Sequence, residues 1–317
     1  MSDVRSATPE SKRSASGADG RGPDFDGAGH SARAPLESGL YLVATPIGNA
    51  ADITLRALDV LARADAIAAE DTRQTRKLMA MHGIALAGRP MVSYHDRNGA
   101  ERRPRILAWL REGKSVAYCS DAGTPLVADP GYRLAEAAMA EGLGLTAIPG
   151  ASAVLTALSL AGLPTDRFLF AGFLPPKRGA RKKALGDLVT VPATLIFFES
   201  PRRLAATLAD MAEVLGGARP AAVARELTKK FEQVRRAPLG DLARQYAAED
   251  APKGEVVVLV GPPDPAVAQA ESAASLDDEL ARALATLSVK DAAREVAARL
   301  GLPRRDVYAR ALEMARQ

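Results

Sequence analysis

Six short polar motifs hold most of the side chains in this 317-residue chain that could do chemistry. They are Thr45-Pro46-Ile47-Gly48-Asn49, Glu70-Asp71-Thr72-Arg73, His95-Asp96-Arg97-Asn98, the run from Ser120 to Pro125, Glu199-Ser200 and Arg225-Glu226. Each follows directly on a short apolar run. Ligands of open α/β sheets bind outside the carboxyl ends of the strands, so motifs in this register predict one shared cleft. In the first loop Gly48 permits close backbone approach to a ligand while Pro46 stiffens the turn. Ser120-Asp121-Ala122-Gly123-Thr124-Pro125 combines a carboxylate, a small flexible segment and a hydroxyl, and can offer amides and carbonyls to a flat, polar cofactor. Taken alone, each loop reads equally well as a tight turn with a helix N-cap. No complete phosphate-binding loop of the G-x-x-x-x-G-K-[ST] type is present, and the 45–49 loop is not a G-x-G-x-x-G fingerprint. Both facts argue against NTP hydrolysis and nicotinamide dinucleotides.

Stepping outward from the motifs, β-rich runs near 40–44, 65–69, 91–94, 115–119 and 145–148 alternate with Ala/Leu/Arg segments of helical character. A second series follows near 167–171, 194–198, 221–225 and 255–260. Alternation of this kind predicts an α/β fold in two domains, residues 39–150 and 151–262, with the break between Pro149-Gly150 and Pro164. The longest uncharged stretch, Gly142 to Pro164, is interrupted by Pro149-Gly150, so it reads as a buried strand and a short helix rather than a membrane span. Residues 1–38 contain 15 Gly, Ser or Pro and almost no large apolar side chains, the composition of a disordered tail. Its glycines (Gly20, Gly22, Gly27, Gly29) follow no strand and are not read as phosphate-binding. Gly261-Pro262-Pro263 opens a linker, and residues 275–317 form a small helical unit with Gly301-Leu302-Pro303 as the turn of a helix-turn-helix-like pair.

Composition narrows the chemistry. A single Cys (Cys119) excludes an internal disulfide and any Cys-based zinc or iron–sulfur site, and His30, His82 and His95 lack metal-ligand spacing. No metal is therefore expected. No apolar signal segment opens the chain, so a reduced, cytoplasmic protein without membrane contact is the default expectation. Net charge is only +4, from 42 Lys and Arg against 38 Asp and Glu, and aromatics make up 4%. Recognition of a nucleic acid would then rest on local positive charge and not on a base-stacking sheet.

Several runs together carry a resemblance: Leu40 to Asn49, Ala69-Glu70-Asp71-Thr72-Arg73, Ser120 to Pro125, Ala161 to Phe168, Ala224-Arg225-Glu226-Leu227-Thr228-Lys229 and Lys253-Gly254-Glu255. Over about residues 39–317 the chain resembles the ribosomal RNA small subunit methyltransferase I family, a branch of the tetrapyrrole-methylase-like (class III) S-adenosylmethionine enzymes. The resemblance implies two α/β domains with S-adenosylmethionine in the cleft between them, a homodimer, and 2′-O-methylation of a cytidine ribose in the decoding centre of 16S rRNA, with the 30S subunit as partner. Carried over by position, it places Pro46, Ile47, Gly48, Asp121, Gly123, Thr124, Ser152, Ala153, Ala224 and Gly254 at the cofactor. Where family members often have His-Asn-Glu after the His-Asp pair, this chain has Arg97-Asn98-Gly99, with Glu101 beyond.

Methylating a ribose hydroxyl requires in-line approach and loss of a proton from a weakly acidic alcohol. Asp71, His95, Asp96, Glu199 and Glu226 are candidate bases, and Lys229 joins them if burial lowers its pKa. Glu70 and Asp71 with Arg73 and Arg76 read equally as a structural ion-pair cluster. For RNA, Lys177-Arg178-Gly179-Ala180-Arg181-Lys182-Lys183 places five cations in seven residues, expected as a flexible basic loop beside the cleft. Arg102-Arg103-Pro104-Arg105 and Arg235-Arg236 are expected on solvated faces. Two other functions stay open on the same residues. One is a precorrin-type tetrapyrrole C-methyltransferase; the other is a non-enzymatic nucleic-acid-binding regulator whose α/β part senses a ligand.

Overall fold

A strand that is apolar on both faces must be covered on both, and helices returning between parallel strands supply that cover. The computed structural model describes residues 35–128, 130–264, 276–300 and 302–315. Nearly all of the expected N-terminal tail and linker lies outside them. The first sheet contains β1 (Gly39–Val43), β2 (Ala66–Ala69), β3 (Met91–Ser93), β4 (Ser115–Cys119) and β5 (Leu145–Ile148), in the order β3-β2-β4-β1-β5. All its pairings are parallel. Helices α1 (Leu55–Arg63), α2 (Thr72–Met81), α3 (Gly99–Arg111) and α4 (Tyr132–Ala140) make the crossovers. β1, β2 and β4 are buried along their whole length, which is why they read as unbroken apolar runs. The edge strand β5 is largely uncovered and buries only Ile148. A Gly113-Lys114-Ser115 triplet does occur, but it leads into β4; a phosphate-binding loop leaves a strand and enters a helix.

The second sheet contains β6 (Phe168–Phe173), β7 (Thr194–Glu199), β8 (Pro220–Arg225), β9 (Gln233–Pro238) and β10 (Val256–Val260), in the order β6-β7-β10-β8-β9. β6 and β7 are parallel and the other neighbours antiparallel. Helices α5 (Ala153–Ala161), α6 (Arg178–Gly186), α7 (Leu204–Leu215) and α8 (Leu239–Ala247) pack around it. β9 was not expected, because Gln-Val-Arg-Arg-Ala-Pro shows no apolar face. It is an edge strand whose arginines are committed: Arg235 lies 4.9 Å from the Tyr246 ring centroid and pairs with Glu249 at 2.8 Å. Arg236 donates from Nε to the Leu160 carbonyl at 2.9 Å. These side chains are ties within the second half, not a freely solvated face.

The basic run departs from expectation in the same way. Residues 178–186 form α6, not a loop, and three of the five cations meet acids of α7. Arg181 is buried and donates to Asp210 at 2.8 Å, Arg178 donates to Asp210 at 3.0 Å, and Lys182 pairs with Glu213. The i, i+3 and i, i+4 spacing that turns them to one face is invisible when the run is read as loop.

One apolar cluster joins the two sheets, with Ile47 from the first half among Val154, Leu158, Ala224, Leu227 and Val257 from the second. Toward the C-terminus, α9 (276–284), α10 (Val289–Leu300) and α11 (Arg304–Met314) enclose a separate small core of Leu280, Ala292, Val296, Val307 and Ala311. Arg310 clamps α11 to Asp277 through two bonds of 2.7 and 2.6 Å. Cys119 is fully buried at the end of β4, and desolvation pushes its thiol up to about 12. The native protein is therefore expected to resist a disulfide reagent at pH 8 and to release one thiol equivalent only in denaturant. Rapid labelling of the native protein would contradict that burial.

Candidate active site

The loops leaving β1, β2, β3 and β4 converge because parallel strands point the same way. Thr45 and Gly123 exchange two backbone hydrogen bonds of 2.9 and 3.0 Å, zipping the β1 loop to the β4 loop, and the Thr45 hydroxyl donates to the Ser120 carbonyl at 3.2 Å. The Asp71 amide donates to Asp121 Oδ1 at 2.9 Å, while the Asp121 amide donates to Glu70 Oε2 at 3.1 Å. This reciprocal lacing holds the β2 and β4 loops together. The Thr124 hydroxyl donates to the Ala151 carbonyl at 3.1 Å, and the Ser152 oxygen caps α5 by accepting from the Leu155 amide.

Three adjoining cavities open among these loops. The most apolar, about 410 Å³, lies between the two halves of the chain. It is lined by Ile47, Gly123, Thr124, Ser152, Ala153 and Gly254, six of the ten residues expected at a cofactor, and by Glu199. A second, about 220 Å³, takes Pro46, Gly48 and Asp121, and shares Ile47 with the first. A third, about 610 Å³, is lined by Glu70, Asp71, Arg73, His95, Asp96, Arg97 and Asp121. Ala224, the remaining expected cofactor residue, lines none of them; it is fully buried in the cluster joining the sheets. Gly48 does permit a close backbone approach, but what approaches is protein. A Cβ there would stand 2.5 Å from Lys229 Cγ and 2.9 Å from the Leu227 carbonyl oxygen.

Reading polar motifs missed the apolar wall. Val127, Phe173 and Phe198 line the main cavity, with the two phenylalanine rings 5.6 Å apart, edge to face. Phe173 ends β6 and Phe198 precedes the Glu199-Ser200 motif, so their strand-end positions were the available signal. Also missed was backbone strain. Among the described residues, four of the five non-glycine residues with positive φ sit in two loops, Leu126 and Ala128 after β4, Glu226 and Thr228 after β8. Such conformations persist only where the surroundings over-determine them.

The candidate bases separate on their partners. Asp71 is the N-cap of α2 and is held at about 2 by its bonds to Arg73, so it stays a carboxylate with little proton affinity. Glu226 is held below the usual carboxylate range by Lys229. Burial opposes the charge on Lys229, but its bonds to Glu226 and Glu255 prevail and keep it an ammonium. The condition under which Lys229 would join the candidate bases, a pKa lowered by burial, is therefore not met. Glu199 accepts from the Thr207 hydroxyl and the Ser200 amide, each at 2.7 Å, with Arg203 at 3.2 Å. Glu70 and Asp121 behave differently: burial raises both carboxyls, and the two face each other across the laced loops. Both line the third cavity, beside His95.

Comparison with known proteins gives the family and the fold. Residues 39–243 match the tetrapyrrole (corrin/porphyrin) methylases and residues 270–315 match the RsmI C-terminal HTH domain. The chain is 54% identical over 280 residues to the ribosomal RNA small subunit methyltransferase I of Mesorhizobium japonicum, covering 88% of this chain and 93% of that one. It is 48% identical over 273 residues to the protein of the same name from Micromonospora olivasterospora, covering 85% of each. Among solved structures, uroporphyrin-III-C-methyltransferase from Thermus thermophilus superposes with a TM-score of 0.51 at 25% identity, covering 71% of this chain and 94% of that one.

Proposed function

Because the chain belongs to the ribosomal RNA small subunit methyltransferase I family, within the tetrapyrrole methylases, we propose that it transfers a methyl group from S-adenosylmethionine to 16S rRNA. The acceptor in this reading is the 2′-hydroxyl of a cytidine in the decoding centre. The observation that carries it is the 410 Å³ cavity between the halves, whose size and largely apolar lining with a few polar groups suit a small-molecule cofactor. S-adenosylmethionine fits the donor set: Ile47, Val127, Phe173 and Phe198 offer apolar surface, Thr124, Ser152 and Ser200 short hydroxyls, and Glu255 a carboxylate. When bound, it supplies an electrophilic methyl on a sulfonium.

The chain's own residues then have three tasks. Thr124, Ser152 and the laced 120–124 loop orient the cofactor. The third cavity, which shares Asp121 and Ala128 with the other two, receives the acceptor nucleotide. His95, Glu70 or Asp121 takes the hydroxyl proton. Lys177 and Lys183 are exposed and form no ion pair among the described residues, so they are the cations of the basic run left for phosphate. The helix-turn-helix unit favours a nucleic acid over a corrinoid, which would need no such addition. A homodimer belongs to the same reading, and the exposed Phe168 and Leu169 on the edge strand β6 are apolar surface it would cover.

The test is transfer of labelled methyl to 30S subunits and to naked 16S rRNA, with nucleotide mapping. The expected product is one 2′-O-methylcytidine. Label on a base, or on no ribose, would reject this reading.

A further inference from the structure

One tie between the two halves runs through the turn joining β8 to β9. The Asn49 amide, in the β1 loop of the first half, donates to Thr228 Oγ1 at 3.1 Å. Gly48 packs so closely there that a Cβ would stand 2.7 Å from the same oxygen. Thr228 is held for this contact in an unfavourable conformation, φ +62, with its own amide donating to Glu232 at 2.6 Å. The next residue carries the link onward. Lys229 Nζ donates to Glu226 at 2.9 Å and to Glu255 at 3.0 Å, and Glu226 also accepts from the Glu255 amide at 3.1 Å. Glu255 and Gly254 line the main cavity, as does Ile47.

We infer that Thr228 is a positioning residue: it latches the 45–49 loop to the 254–255 wall, and so sets the width of the cavity proposed to hold the cofactor. A β-branched residue in the left-handed region is a cost the chain would shed unless the contact were needed. The latch spans the halves, whereas the hydrogen bonds of Thr45 in the same loop stay within the first half.

The inference rests on the methyltransferase reading for its cofactor readout only, so two measurements are made. Thr228→Val keeps shape and branching but removes the acceptor, and Thr228→Ser restores it. Losing one hydrogen bond should raise the KM for S-adenosylmethionine roughly three- to tenfold with kcat within about twofold, and serine should bring it back. By hydrogen exchange on the ligand-free protein, amides of residues 47–52 should lose protection in the valine variant and recover it in the serine variant. Unchanged exchange in Thr228→Val, or a serine variant as impaired as valine, overturns the latch. If the wild type binds no S-adenosylmethionine, the methyltransferase reading fails, while the exchange result still decides the latch.

Discussion

Gly48→Ala is expected to weaken S-adenosylmethionine binding by about tenfold or more and to cost about 1–3 kcal/mol of stability, from a single added methyl. The methyl would stand 2.5 Å from Lys229 Cγ, 2.7 Å from Thr228 Oγ1 and 2.9 Å from the Leu227 carbonyl oxygen. Lys229 could swing away, but only by giving up Glu226 and Glu255. The Leu227 carbonyl is backbone and has no such freedom, so the 45–49 loop must retreat. Because Ile47 belongs to that loop and to the cluster joining the sheets, retreat widens the cavity and loosens the apolar contact together. Calorimetric titration with cofactor, alongside urea unfolding, measures both effects. Binding and stability both equal to wild type would show that the two halves are free to separate here, and would remove the basis for a cavity of fixed width.

The largest effect on stability alone is expected at Asp210. Its carboxylate is 2% exposed and accepts from Arg178 at 3.0 Å and from Arg181 at 2.8 Å. Burial pulls its pKa up, but the two guanidinium groups prevail and hold it below the usual range. Asp210→Ala leaves Arg181, itself 5% exposed, with an uncompensated buried charge. Breaking a buried pair from one side costs about 3–5 kcal/mol. Chemical denaturation should show that loss, and pairing Asp210→Leu with Arg181→Met should recover much of it, since an apolar pair of similar volume removes both charges. A loss below about 1 kcal/mol in Asp210→Ala would mean that Arg181 reaches water in solution. The same variant should weaken 30S methylation, because α6 carries Lys177 at its N-cap and Lys183 in its last turn, and the Asp210 bonds fix its place.

Among the described residues, the sequence places nine of the ten strands to within about two residues of where they lie, because each is a local apolar run bounded by turn residues. β9 is the exception for a physical reason: Gln-Val-Arg-Arg-Ala-Pro is an edge strand held by pairing with β8 and by arginine contacts to distant elements. The polar motifs after the strands gather at one end of the first sheet, because strand direction alone decides where parallel strands end. Ile47, Gly123, Thr124, Ser152, Ala153 and Gly254 accordingly share one cavity. Ala224 does not join them, since its place on the inward face of a central strand depends on which helix covers it.

Charges are where sequence and fold part company. The five cations at 177–183 meet no acid within the run, yet three are spent on Asp210 and Glu213, some thirty residues away on α7. Asp71, Glu226 and Lys229 look equally reactive as residue types, and only their partners hold each in its charged state. What the sequence determined by itself is most of the elements, β9 and α6 apart, and the end of each strand from which the polar loops leave, both products of short-range periodicity and chain direction. Which carboxyls burial raises and which partners hold down, which cations of the basic run are paired, and how far apart the cavity walls stand were decided by the tertiary structure. Those properties depend on desolvation and on pairing between groups far apart in the chain, and neither is written in any local run of residues.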